Sequence, residues 1–193
     1  ASTDTGAGWV YKADNGFAVS SNIGTKSNST QYTLDANGKK VYSASGLLTD
    51  ESKTSWATQV GLTKDQWAVS AMVNLKYNDW GDSYFSTATG DDRNENSTNY
   101  GLRAWWRPQE TGTATPEVSF GYDYSVLDGY STNDTTDMYF VGLSWLDIFN
   151  PDDRIGVAFG QPQRRENTGA EPFMWEAYYL SLIHISEPTR QHW

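Results

Sequence analysis

The chain has no cysteine, which excludes disulfide frameworks, thiolate metal sites and cysteine nucleophiles. Histidine is almost as scarce: His184 and His192 are the two present, both close to the last residue. No apolar run approaches the roughly 18 residues of a membrane-crossing helix. That excludes a helical membrane protein but not a β-barrel, whose strands carry a much weaker hydropathy signal. Positive charge is also in short supply. Lys and Arg number 14 against 24 Asp and Glu, a formal net charge of −10, so nucleic acid is not an expected partner. No stretch repeats its apolar residues with a helical period. The chain opens ASTDTGAG, with neither initiator methionine nor signal peptide, and reads as an excised piece.

What is plentiful is aromatic surface. Phe, Trp and Tyr make up 15% of the residues, with 9 Trp and 12 Tyr, although hydrophobic residues reach only 37% and the mean hydropathy is −0.65. Trp and Tyr are favoured where one side is apolar and the other wet. Between Thr54 and Tyr77 the pattern is sharpest. Trp56, Thr58, Val60 and Leu62 occupy alternate positions, and after the break Thr63-Lys64-Asp65 so do Trp67, Val69, Ala71, Val73, Leu75 and Tyr77. The intervening residues are small or polar, the signature of strands with two different faces.

The same alternation recurs along the chain. Asn15-Gly16 separates two alternating arms, a hairpin signal. Residues 25–53 read as a long loop, with a small hairpin of its own around Gln31–Tyr42 turning at Asn37-Gly38. Alternating runs then begin at Tyr100, Val118, Tyr139, Ile155 and Phe173. The expected fold is all-β: an antiparallel up-and-down meander of about nine strands, part of a larger transmembrane barrel. Turns at Asn15, Lys64, 108–116 and 146–153 form a shorter set of connections. Those at 25–53, 78–99, 125–137 and 161–171 form a longer, more polar set, as in an outer-membrane meander.

If strands alternate up and down, the apolar-face aromatics fall at two rims. Trp56, Tyr77, Tyr100, Tyr124 and Tyr139 come out at the long-loop end, and Trp67, Trp106, Trp145 and Tyr179 at the short-turn end. These are the expected girdles of a membrane barrel. From Trp67 to Tyr77 is roughly 33 Å of strand, which tilted covers about 25 Å of height. The other face would line a lumen, with Gln59, Ser70, Asn74, Lys76, Arg103, Arg107, Asp123 and Glu176 as its polar residues. Lys76, Arg103 and Arg107 are candidates for a positive strip opposed by Asp123 and Glu176. Inward Trp105, Phe140 and Tyr178 are candidates to stack on sugar faces or simply to pack the lumen. A soluble β-sandwich would explain the alternation but not the aromatic rims.

Signs of catalysis are missing. No nucleophile–base pair or phosphate-cradling glycine loop is present, and no cofactor is implied. The acidic stretch GDDRNEN (Gly90–Asn96) has the oxygen ligands a divalent cation takes, but no defined ligand spacing. No metal site is expected.

Two stretches carry a resemblance. LSLIHISEPTR (Leu180–Arg190) is identified as the translation of a transposase adapter used in sequencing libraries, so residues 180–193 are expected to be a non-native tail and both histidines artefacts. Residues 1–179 are then the native part. YFVGLSWLDIFNPDDRIGVAFGQPQ (Tyr139–Gln163), followed by EPFMWEAYY (Glu171–Tyr179), resembles the carbohydrate-selective porins of the OprB family. The nearest branch is the cyanobacterial one, which joins an S-layer-homology domain to an outer-membrane barrel. The matching features are the acidic pair and arginine Asp152-Asp153-Arg154, then Gly156, Ala158, Gly160, Gln161 and Pro162, then the P-F…E-A-Y-Y stretch. The resemblance implies a bacterial outer-membrane location in contact with lipid, and a homotrimer of roughly sixteen-stranded pores. It also implies passive diffusion of small hydrophilic solutes, carbohydrates or inorganic ions including iron, with no enzymatic activity. The alternative is a secreted all-β carbohydrate-binding module using Trp and Tyr as sugar platforms. A glycoside hydrolase would need two converging carboxylates, for which Asp123 and Glu176 are the eligible pair.

Overall fold

A computed structural model describes residues 4–26, 32–42, 52–77, 96–128, 134–165 and 171–181. Most of the acidic stretch at Gly90–Asn96, and residues 182–193 of the expected tail, lie outside the described residues. Eleven strands are formed: β1 (Asp4–Lys12), β2 (Phe17–Lys26), β3 (Tyr32–Leu34), β4 (Lys40–Tyr42), β5 (Lys53–Thr63), β6 (Trp67–Tyr77), β7 (Asn96–Trp106), β8 (Glu117–Asp128), β9 (Asp134–Leu146), β10 (Arg154–Arg165) and β11 (Met174–Leu180). Nine of them make one sheet in the order β1-β2-β5-β6-β7-β8-β9-β10-β11, and β3 and β4 pair separately. Every neighbouring pair is antiparallel. The sheet is an open all-β meander, with β1 and β11 at its edges. Strand β11 includes Leu180, one residue into the segment read as tail.

Alternation forms the strands, and the turns set their register. In the β1–β2 turn Gly16 adopts φ 88, which glycine takes without a Cβ penalty. The Asn15 side chain accepts the Phe17 N–H at 3.0 Å. The turn is also tied to the next strand, because the Thr63 N–H donates to the Gly16 carbonyl at 3.0 Å and Lys64 Nζ to the Asn15 carbonyl at 2.6 Å. The same linkage repeats along that end of the sheet. The Arg107 N–H bonds the Gln66 carbonyl, the Gly112 N–H bonds the Leu146 carbonyl, and the Trp145 indole N–H reaches the Ala114 carbonyl at 2.9 Å. Thus each short turn is bonded to the turn or strand end that follows it.

The turn between β9 and β10 is the most heavily bonded. Asp147 and Asp152 both lie at positive φ, 57 and 67. The buried carboxylate of Asp153 holds the loop shut, its Oδ2 accepting the N–H groups of Phe149 at 3.1 Å and Asn150 at 2.9 Å. The Tyr179 hydroxyl approaches the same oxygen at 3.4 Å, linking β11 to the turn. Across the turn, the bond with Thr111 and the Asp152 N–H hold the Asp147 carboxyl below its usual range.

The opposite end departs from expectation. Residues 125–137 read as a long polar loop, yet β8 runs to Asp128 and β9 starts at Asp134, leaving only 129–133 between them. Likewise β7 begins at Asn96 and not Tyr100, and β10 continues to Arg165. Polar residues there keep strand geometry because the backbone ladder, not apolar burial, holds them, and Thr is a good strand former. Thr25, Thr54, Ser97, Ser125, Thr135 and Thr136 are buried at this end. Leu127 is the single buried apolar residue among the described residues, so they contain no hydrophobic core.

Two substitutions probe these turns. A Cβ at Gly16 would collide with the Thr63 carbonyl, whereas Gly38, at φ 76, has open space around it. Gly38→Ala should therefore cost about 1–2 kcal/mol, the left-handed penalty alone. Gly16→Ala should cost more and shift the unfolding midpoint in urea further. Asp153→Ala strips the acceptor from two backbone donors and should cost roughly 1–3 kcal/mol. Thermal unfolding should show Asp153→Asn, which keeps one acceptor oxygen, falling between the alanine variant and the native protein.

Candidate functional site

Cross-strand partners share a face, so the registers decide whether the apolar positions of nine strands line up. They do. Phe17 lies opposite Leu62, Leu62 opposite Val69, Val69 opposite Ala104, Ala104 opposite Phe120, Phe120 opposite Val141, Val141 opposite Phe159 and Phe159 opposite Trp175. This row and its parallels form one apolar face from edge to edge. The face is open: Trp9, Trp56, Val73, Tyr100 and Trp175 are 55%, 49%, 40%, 47% and 71% exposed.

The aromatics fall in two lines on this face. Trp67 and Trp106 are direct partners, and Trp145 and Tyr179 flank Ile155 on either side. At the other end Trp56 partners Leu75, Tyr77 partners Thr54, Tyr100 partners Tyr124, and Tyr139 partners Tyr122. The lines do not run along the hydrogen-bonded rows. Trp56 shares its row with Leu75, Thr98, Val126 and Thr135, so Tyr139 stands four residues beyond that row, 139 − 135 = 4. Trp67 shares its row with Trp106, Val118 and Leu143, so Trp145 stands two beyond, 145 − 143 = 2. Both shifts point toward the short turns. Tyr179 also stands two residues beyond that row, at Ala177, so at about 3.3 Å per residue and 4.8 Å per strand the lines slant roughly 15–35° from the rows.

The second face is small and polar. Every strand glycine whose surroundings are resolved (Gly6, Gly8, Gly61, Gly101, Gly121, Gly142, Gly156 and Gly160) lies on it. Two of them are roofed by a ring from the next strand: Phe140 lies over Gly121 and Tyr178 over Gly156, leaving no room for a Cβ. Trp105 is the third large aromatic on this face. Residues from Trp105 to Tyr178, including Ser119, Phe140, Gly142, Ser144, Ala158 and Glu176, line a concavity of about 670 Å3.

All the polar residues expected on one face share it, but they are not grouped as expected. Ser70 is the register partner of both Gly61 and Arg103, and Gln59 is the partner of Met72. Asn74 accepts the Ser55 hydroxyl at 2.8 Å, and its backbone carbonyl accepts the Asn99 amide at 3.2 Å. Arg103 grips Asp123 on the adjacent strand through two bonds of 2.8 and 2.7 Å and sits 5.7 Å from the Phe140 ring centre. Asp123 therefore pairs with the cation it was expected to oppose. Arg107 lies just past β7 at the short-turn rim, its Nε bonding the Asp65 carbonyl and its guanidinium 5.4 Å from the Trp105 ring centre. Lys76 lies near the far end of β6, opposite Ser97. The three cations occupy three heights and do not form a strip. Glu176 is on β11, opposite Ala158.

The alternation also places Glu117 and Arg154 on this face, neither of which was expected among its lining residues. Glu117 accepts the Ser144 hydroxyl at 3.0 Å and pairs with Arg154 at 3.5 Å. Position alone, one residue from Val118 and from Ile155, could have found them. Asp123 and Glu176 stand three strands and four residues apart, roughly 14 Å across and 13 Å along the sheet, so they do not converge on one bond. Among the described residues, no three carboxylates or histidines gather to hold a metal ion. No family model matches the chain, and no curated protein or solved structure matches it either.

The glycine–aromatic pairs can be tested directly. Gly156→Ala should displace the Tyr178 ring, changing the near-ultraviolet circular dichroism and costing about 0.2–1 kcal/mol of cross-strand stabilisation. Gly156→Ala combined with Tyr178→Ala should cost less than the sum of the two single changes, because both remove the same contact.

Proposed function

We propose that this chain is part of an outer-membrane β-barrel porin that passes small hydrophilic solutes by passive diffusion. The observation that carries the reading is the single apolar face, continuous across nine strands in register and open to its surroundings. In water such a face is a large liability, since exposed apolar area costs about 25 cal/mol per Å². Against lipid it is the expected surface of a barrel wall, with Trp and Tyr at the headgroup levels. The slant of the aromatic lines adds support. Barrel strands cross the membrane tilted by roughly 35–45°, so headgroup levels cut obliquely across hydrogen-bonded rows. The opposite face, with its glycines and paired charges, suits a water-filled lumen.

The resemblance to OprB-family porins fits the same picture. Asp152-Asp153-Arg154 closes the short β9–β10 turn and opens β10, Gly156, Ala158 and Gly160 supply the small lumen-side residues of β10, and the E-A-Y-Y stretch is β11. Carbohydrates and inorganic ions including iron are the solute classes that this resemblance suggests, and a homotrimer the assembly. The secreted carbohydrate-binding module fares less well: a soluble sandwich buries its apolar faces, and among the described residues Leu127 is the single buried hydrophobic side chain.

The test is conductance. The purified full-length protein should form stable, water-filled channels in planar bilayers. Val69→Arg or Val73→Arg, placing a charge on the lipid face, should cost about 2–4 kcal/mol and reduce the amount assembled in the outer membrane. Ser70→Arg, on the lumen face, should assemble normally. Equal losses from both faces would count for a soluble sandwich.

A further inference from the structure

We propose that the β9–β10 turn is a membrane anchor, with Phe149 seated among the phospholipid headgroups on the short-turn side; the inference rests on the porin reading. Phe149 is 72% exposed, yet its backbone is firmly held. Its N–H and that of Asn150 both donate to Asp153 Oδ2, at 3.1 and 2.9 Å, and Asp153 is buried. The loop is closed further by the Asp147 N–H on the Asp153 carbonyl at 3.0 Å and the Asp153 N–H on the Asn150 carbonyl at 3.2 Å. A buried carboxylate thus fixes a bare phenyl ring in the open. The other short turns present no such group. Residues 13–16, 64–66 and 107–116 contain no Phe, Trp, Ile, Leu, Met or Val, whereas this turn carries Ile148 and Phe149.

Tyr179 sets the side of the turn on which the ring lies. The Phe149 and Tyr179 rings meet edge to face, with centres 6.3 Å apart and planes at 66°. Tyr179 is in register with Ile155 and Trp145 on the apolar face, and its hydroxyl approaches Asp153 Oδ2 at 3.4 Å. Phe149 therefore extends the short-turn aromatic line past the ends of the strands, on the side that the porin reading turns to lipid. The polar layer on each side of a bilayer is about 5–8 Å deep, so a ring 6.3 Å from a rim residue stays within it. Aromatic rings are favoured at that level. Asp147 and Asp152 flank Phe149 in the same turn, and carboxylates there oppose any deeper entry into hydrocarbon, where charge is costly. A protein partner is the competing occupant; continuity with Trp145 and Tyr179 favours lipid.

Spin labelling of the full-length protein in phosphatidylethanolamine–phosphatidylglycerol vesicles tests the depth of the turn. The readout is the ratio of collisions with oxygen, which partitions into lipid, to collisions with a water-soluble nickel chelate. Asn150→Cys places a label beside an intact Phe149, Glu110→Cys places one in the β7–β8 turn, and this chain supplies no competing thiol. The ratio should be at least twofold higher at position 150 than at position 110. Phe149→Ser should lower it at position 150 at least twofold, and Phe149→Trp should restore it. Equal ratios at the two turns, or no response to Phe149→Ser, would overturn the inference and count for a protein partner. The porin reading would then still stand if a Val73→Cys label collides mainly with oxygen. A Val73→Cys label as open to the nickel chelate as the one at position 110 would overturn both.

Discussion

Register is the constraint on which everything else in this sheet depends. Side chains alternate with a period of two, so slipping any one strand by a single residue would send its apolar set to the polar face. The nine main strands avoid this together, from Phe17–Leu62 at one side to Phe159–Trp175 at the other. No buried core enforces the choice, since Leu127 is the single buried apolar residue among those described. What enforces it is the turns. Gly16 bonded to Thr63, Gln66 to Arg107, and Gly112 to Leu146 fix each hairpin against its neighbour. Asp153, gripping two backbone N–H groups and reaching Tyr179, secures the last strand in the same way.

The two faces then solve different packing problems. On the apolar side, bulky residues stand shoulder to shoulder with no partner layer among the described elements. On the other, glycines make room, and two of them are filled from the adjacent strand by Phe140 and Tyr178. The ring over a glycine shields backbone that would otherwise be bare and narrows the surface without adding charge. Arg103 is held by Asp123 beside the Phe140 ring, so a cation, a carboxylate and an aromatic share one patch. Small, paired and aromatic groups at one level give a surface that water wets but that does not collapse.

Much of this is legible in the sequence. The strands, the turn at Asn15-Gly16, the separate hairpin turning at Asn37-Gly38 and the two faces all follow from period-two alternation and turn chemistry. The boundaries at the long-loop end did not. Ser125, Thr135 and Thr136 look like loop in composition, yet they lie in ladders, because alternation fades where both faces are polar. Nor could alternation show that Arg103 and Asp123 pair. Whether two charges meet across a strand pair or oppose each other across a lumen depends on register, and register depends on the length of the connections between strands. The Asp152-Asp153-Arg154 run was conspicuous in the sequence, but its meaning, a buried acceptor that closes a turn, needs the fold.

Nine is also an odd number, and that has a geometric consequence. In an antiparallel meander direction reverses at each step, so β1 and β11 run the same way. If the sheet curled until its edges met, the seam would be parallel, a slightly weaker pairing than an antiparallel one. Two copies with the same orientation in a membrane would not help, since β11 of one copy would again lie parallel to β1 of the other. An all-antiparallel barrel built on this sheet requires an odd number of further strands between the two edges, at least one. Unpaired edges of this kind cannot be left against lipid, where each bare N–H and carbonyl group costs several kcal/mol. On the porin reading proposed above, the parity of this sheet therefore calls for an odd number of additional strands in any all-antiparallel closure.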